Sequence, residues 1–262
     1  MYIIKRICAL TLAMYGTTLM ASMNNMMDMS HQNHQIITMP TPNMSHEHGQ
    51  DIFMAGSLAN TWLWADHGQT TWSTEFEGWI GNDDNKLFVL AEQEKEQSER
   101  NTFDVTTLYS RNVATFWDAQ MGLRYRQDDN RPQDRKRLDT VVGIHGLAPY
   151  FFETNAYFYA GQHGYLAVQL DTNRDFLLTQ KLIIQPYLET TWVMQDQAQF
   201  GSKTGLSNME SGLKLRYEIN KMVMPFIDVA YHYKTAFKNT KDAHEDQADH
   251  AIYAGFGLLL KF

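Results

Sequence analysis

The chain has 262 residues and carries 30 acidic against 22 basic side chains, a net charge of −8, which is the wrong sign for a nucleic-acid partner. Its single cysteine, Cys8, lies in an amino-terminal stretch with the character of a targeting signal. The remainder has no thiol, which excludes a disulfide framework, thiolate catalysis and a cysteine metal site.

Residues 1–22 read as a secretory signal peptide. Lys5 and Arg6 form the charged region, Ile7 to Leu12 are apolar, and Ala21 and Ser22 are small enough to flank cleavage. The apolar part is short for a membrane-spanning helix. Removing the signal also removes Lys5 and Arg6, leaving 22 − 2 = 20 basic against 30 acidic residues, a net of −10. That balance suits cations.

Residues 23–50 differ in kind from the rest of the chain. They hold Met23, Met26, Met27, Met29, Met39 and Met44 together with His31, His34, His46 and His48. Aromatic residues are absent, Pro40 and Pro42 interrupt the stretch, and no apolar face repeats at helical or strand spacing. A disordered leader is the expectation. Met29-Ser30-His31 recurs as Met44-Ser45-His46, each succeeded closely by another histidine. Thioethers and imidazoles are soft-to-borderline ligands that favour copper, above all Cu(I); the methionines make that choice where histidines alone would not. The competing reading is a linker whose methionines are incidental.

From Phe53 onward, about twelve runs of alternating polarity succeed one another without a helical interlude, the pattern of an all-β chain. Their approximate spans are 53–65, 69–81, 86–95, 101–112, 116–127, 137–148, 151–160, 164–176, 180–193, 206–219, 224–235 and 250–262. Leu213, Leu215, Tyr217 and Ile219 face one way, while Glu210, Lys214, Arg216 and Glu218 face the other. Ile227, Val229, Tyr231 and Tyr233 likewise oppose Asp228, His232 and Lys234. Faces with charges of both signs are too polar for a sandwich core. They fit a transmembrane antiparallel β-barrel, apolar outside and polar inside. Trp62, Trp64, Trp72, Trp117, Phe152, Trp192, Tyr231 and Phe262 fall at strand ends, where interfacial girdles belong.

Short connections near 82–85, 113–115, 149–150, 177–179 and 220–223 alternate with longer ones near 96–100, 128–136, 194–205 and 236–249. The longer set belongs outside the cell if both ends of the barrel lie in the periplasm; the short connections near His67 and Gln162 are exceptions to it. In the last run, Ile252, Ala254, Phe256, Leu258, Leu260 and Phe262 share one face. Gly257, Leu260 and Phe262 resemble the assembly signal of outer-membrane barrels. This strand is expected to pair with the first.

The chain also resembles the outer-membrane copper resistance protein B family (CopB/PcoB). The resemblance rests on several motifs together: Gly78-Trp79-Ile80-Gly81-Asn82-Asp83-Asp84-Asn85-Lys86-Leu87, Leu108-Tyr109-Ser110-Arg111, Phe116-Trp117-Asp118 and Gly146-Leu147-Ala148-Pro149-Tyr150-Phe151-Phe152-Glu153. Leu178-Thr179-Gln180 through Pro186, and Gly205-Leu206-Ser207 through Glu218, extend it over nearly the whole barrel. It implies an outer-membrane barrel in copper tolerance, in contact with outer-membrane lipid and working beside a periplasmic multicopper oxidase. The methionine and histidine segment matches that family's variable leader.

By parity, the lumen holds Glu75, Glu77, Glu92, Asp104, Asp118, Glu153, Asp171, Glu189, Glu210, Glu218 and Asp228, with Lys86, Arg124, Arg126, Lys181, Lys214, Arg216 and Lys234. Two arrangements suit this set: a salt-bridge network that fills the barrel, or a cation path that uses the acidic excess. His145 and His232 are lumen candidates, read as hydrogen-bonding partners rather than ligands. His244, Glu245, Asp246, Asp249 and His250 form an acidic loop that would be solvated or would bind divalent ions. The leading function is copper binding, with transport or sequestration across the outer membrane. A passive porin is the alternative. An outer-membrane hydrolase is remote, because no nucleophile elbow is present.

Overall fold

The computed structural model describes residues 52–66, 68–96, 101–129, 135–195, 204–237 and 246–262. They form β1 (Phe53–Ala65), β2 (Thr70–Gly81), β3 (Asn85–Glu96), β4 (Thr102–Ala114), β5 (Trp117–Asp128), β6 (Lys136–Ala148), β7 (Phe152–Gly161) and β8 (Leu166–Asn173). The two-residue β9 (Phe176–Leu177) comes next, then β10 (Leu182–Val193), β11 (Gly205–Tyr217), β12 (Val223–Phe237) and β13 (Asp246–Lys261). Every pairing is antiparallel. β9 only folds back on Ile183 and Ile184 of β10; the other twelve strands close into one barrel through β10–β11 and β13–β1. The wall is the expected all-β barrel. The run expected over 164–176 is split in two, because Arg174 and Asp175 lie outside both strands. β12 and β13 run further than expected, to Phe237 and from Asp246, so part of the acidic segment belongs to the wall.

The usual arrangement of burial is inverted. Ile227, Leu123, Met121, Phe256 and Ile252 point outward and are more than half exposed, whereas Ser110, Asp139 and Asp228 are buried. Such an apolar exterior is stable only in contact with lipid, where closure leaves no strand edge with unsatisfied backbone groups. At one end of the wall, Trp62 and Trp64 lie 5.7 and 5.4 Å from Phe256, forming part of an aromatic girdle.

The closing seam runs from Ser57 opposite Lys261 to Ala65 opposite Tyr253. Beyond it, Gly56 and Phe262 exchange both backbone hydrogen bonds at 2.9 Å. The Phe262 ring lies where a Cβ on Gly56 would sit, 2.6 Å from that position, and stacks on Phe76 at 6.4 Å. Glycine is required at 56 by this close approach.

Candidate functional site

The lumen divides into two halves. The half nearer Phe53 and Phe262 is occupied by side chains: Trp79 and Phe88 there belong to a cluster that runs through Leu108, Val141 and Tyr157 to Tyr165 and Val193 at the far end, and Phe88 packs 5.7 Å from His145. Lys86 Nζ lies 3.0 Å from Asp118, whose carboxylate also accepts from Ser110 and Asn112. The other half holds a polar cavity of about 740 Å³. That volume lies within the usual range of small-ligand sites, about 300–1,000 Å³. Glu96, Thr102, Arg126, Arg137 and Lys234 line it near the strand ends away from Phe53 and Phe262.

One wall is cross-linked. Asp139 is fully buried and accepts from Arg124 Nη2 at 2.7 Å and from Arg137 Nε at 3.0 Å. Arg124 lies 3.7 Å over the Tyr159 ring and Arg137 lies 3.6 Å over the Tyr165 ring. Each cation is therefore held by the shared carboxylate and an aromatic face, and Arg124 also has Asp104 at 3.8 Å.

The facing walls are arranged otherwise. Asp171, Glu189 and Glu210 stand directly opposite one another across β8, β10 and β11. Glu75, Glu92 and Asp104 do the same across β2, β3 and β4. Like charges in cross-strand register repel, so each ladder destabilises the sheet that carries it. Glu75, Glu92 and Asp104 of one ladder and Glu189 and Glu210 of the other line the same cavity. Such an arrangement attracts cations into the cavity.

Tyr187 ties the floor together. Gly212 has no side chain there, and the Tyr187 ring lies across it, 2.5 Å from where a Cβ would be. The phenol donates to Glu210 at 2.8 Å, with Asp228 at 3.2 Å. Lys214 Nζ stands 4.7 Å over the Tyr187 ring and 3.9 Å from Asp228.

Most side chains assigned to the lumen by parity are there, but two are not. Lys181 is exposed in the turn before β10, and Glu218 lies past the end of β11, paired with Lys221 at 2.9 Å. Alternation was extended past the strand ends in both cases. Both histidines have partners: His145 Nδ1 lies 2.6 Å from Asn155 and His232 Nε2 lies 3.3 Å from Glu210. Sequence reasoning missed Asp139, Arg137 and Tyr187. The signal for the first two was present, since Arg137 and Asp139 share the parity of His145. The position of Tyr187 depends on Gly212, and no pattern within one strand reveals that contact. Among the described residues, no three histidine, aspartate or glutamate side chains converge as a metal site. Met23, Met26, Met27, Met29, His31, His34, Met39, Met44, His46 and His48 lie outside the described residues, as do His244 and Glu245.

Residues 58–262 match the family described as copper resistance protein B precursor (CopB). Copper resistance protein B of Escherichia coli is 32% identical over 192 residues, which are 73% of this chain and 63% of that protein. The match thus spans less than two thirds of that relative. A copper resistance protein B homolog of Pseudomonas syringae pv. tomato is 30% identical over 221 residues, 84% of this chain and 69% of that protein. Among solved structures, a NanC porin at 11% identity aligns with a TM-score of 0.52, over 79% of this chain and 100% of that chain. At such low identity that likeness concerns the fold alone.

Proposed function

Because this chain belongs to the copper resistance protein B family, we propose that it is an outer-membrane copper barrel that binds copper and moves or sequesters it in copper homeostasis. The observation that carries this reading is the family match over residues 58–262, nearly the whole barrel. The acidic cavity supports it, because a wall in which carboxylates face carboxylates favours a cationic cargo. In this reading residues 1–22 are a signal peptide, 23–50 a copper-collecting leader and 51–262 the barrel. The short connections at 82–84, 115–116 and 149–151 lie at the same end as Phe53 and Phe262. That end is assigned to the periplasm, since outer-membrane barrels keep their short turns there. In this reading the leader is periplasmic and serves beside a periplasmic multicopper oxidase.

Six methionines hold Cu(I) and four histidines also accept Cu(II), so one segment serves both oxidation states. Their dispersal favours exchangeable binding, which suits passing metal on. The role is binding and movement rather than bond-making chemistry. The test is a full chain lacking residues 23–50, compared with one in which only the six methionines are replaced. The deletion is expected to leave the barrel assembled while lowering copper binding and copper tolerance. The methionine replacements should weaken Cu(I) binding more than Cu(II) binding. A deletion that leaves Cu(I) affinity and tolerance intact overturns the leader's role.

A further inference from the structure

The cations of the lumen are held in two different ways. Arg124 and Arg137 share the fully buried Asp139 at hydrogen-bonding distance, and each is covered by a tyrosine ring. Lys214 has no such clamp. Its Nζ approaches Asp228 only to 3.9 Å. Its side chain is 23% exposed and lines the cavity together with Glu75, Glu189, Glu210 and Asp228. From behind it is supported by Tyr187, at 4.7 Å, and by Phe226, at 5.8 Å. The ammonium, on a flexible four-carbon stem, therefore shares the cavity with carboxylates from β2, β10, β11 and β12.

We propose that Lys214 is the specificity-determining residue of the lumen: a tethered ammonium that offsets part of the negative charge of the cavity lined by Glu75, Glu189, Glu210 and Asp228. This deepens the reading of the lumen as a route for metal cations and rests on it. The geometry has two consequences. An incoming cation is repelled by Lys214 until it displaces the ammonium, so the lysine raises the entry barrier for monovalent ions. The ammonium also offsets part of the negative charge of the cavity and so sets how strongly the lumen prefers cations over anions.

The test uses the full-length protein in planar lipid bilayers under a potassium chloride gradient, with assembly checked by heat-modifiable migration. Lys214→Gln should raise the permeability ratio of potassium to chloride several-fold, and Lys214→Arg should keep the wild-type ratio. Lys136→Gln removes an exposed cation at the far rim and should change little. If Lys214→Gln fails to assemble, Lys214→Met, which keeps a long apolar stem without the charge, takes its place, and the same rise is expected. If the wild type passes no current, the variant should open a cation current. An unchanged ratio in the assembled variant, or silence in both proteins, overturns the proposal. No copper enters these measurements. A shifted ratio without any effect on copper tolerance would keep the role of Lys214 and remove the copper reading.

Discussion

Asp139 holds two guanidinium groups on one fully buried carboxylate. Removing that carboxylate takes from the buried Arg124 and Arg137 the acceptor they share, and breaking a buried ion pair in this way costs about 3–5 kcal/mol. Asp139→Ala should therefore lower stability by that amount in urea unfolding from lipid vesicles. Asp139→Asn, which keeps the acceptor oxygen, should lose less. Equal losses from both would show that shape rather than charge is what the arginines require. At this scale the sequence was partly legible. Alternation places Arg124, Glu189 and Lys214 inside without knowledge of their neighbours. It does not say which carboxylate meets which cation, because that depends on register between strands. Asp139 meets Arg124 because β5 and β6 pair at those residues, and no local pattern encodes the offset.

The strand is the unit whose two faces differ most. On β11, Leu213 points to lipid between Pro186 and Val229, whereas Lys214 points inward between Gln185 and Asp228. Leu213→Arg should cost roughly 2–4 kcal/mol if it lies near the bilayer midplane. Lys214→Gln, one residue away, should be milder for folding into lipid because its surroundings are polar. Comparable losses at the two positions would contradict the inside-out assignment. Strand existence was legible from period-two alternation, and most boundaries lie within a few residues of those expected. The exceptions have physical causes. The break at Arg174 and Asp175 arises from tertiary contacts: Asp175 pairs with Arg216 of β11, and Arg174 lies 4.4 Å over Phe176. The lengthening of β12 and β13 pairs Ala236 with Gln247 and Phe237 with Asp246, apolar against polar, where alternation within one strand gives no consistent signal.

At the level of the molecule, closure depends on residues far apart in the chain. The Phe262 ring fills the space above Gly56 and touches Phe76, so it holds three strands at the seam. Phe262→Ala should leave the hairpins intact while reducing the fraction of chains that reach the closed barrel, read as less heat-modifiable protein in membranes. An undiminished yield would assign closure to the backbone ladder alone. The barrel architecture and its polar interior were legible because lipid outside and water inside impose opposite requirements on alternate residues. The division of the lumen into a filled half and a cavity was not. It depends on where Trp79, Phe88 and Leu108 meet across several strands, which is a property of the closed wall.

That seam also has a temporal meaning. Neighbouring strands elsewhere in the wall are close in the chain, so their contacts can form as soon as both are made. The pairing of Ser57 with Lys261 joins opposite ends of the barrel sequence and has the greatest chain-entropy cost of closure. The first strand must wait, with an open edge, until the last has been synthesised and delivered. Assembly is thus slowest where the ring of strands is completed. The glycine and aromatic contact at 56 and 262 shortens the interval in which an exposed edge can pair with the wrong chain.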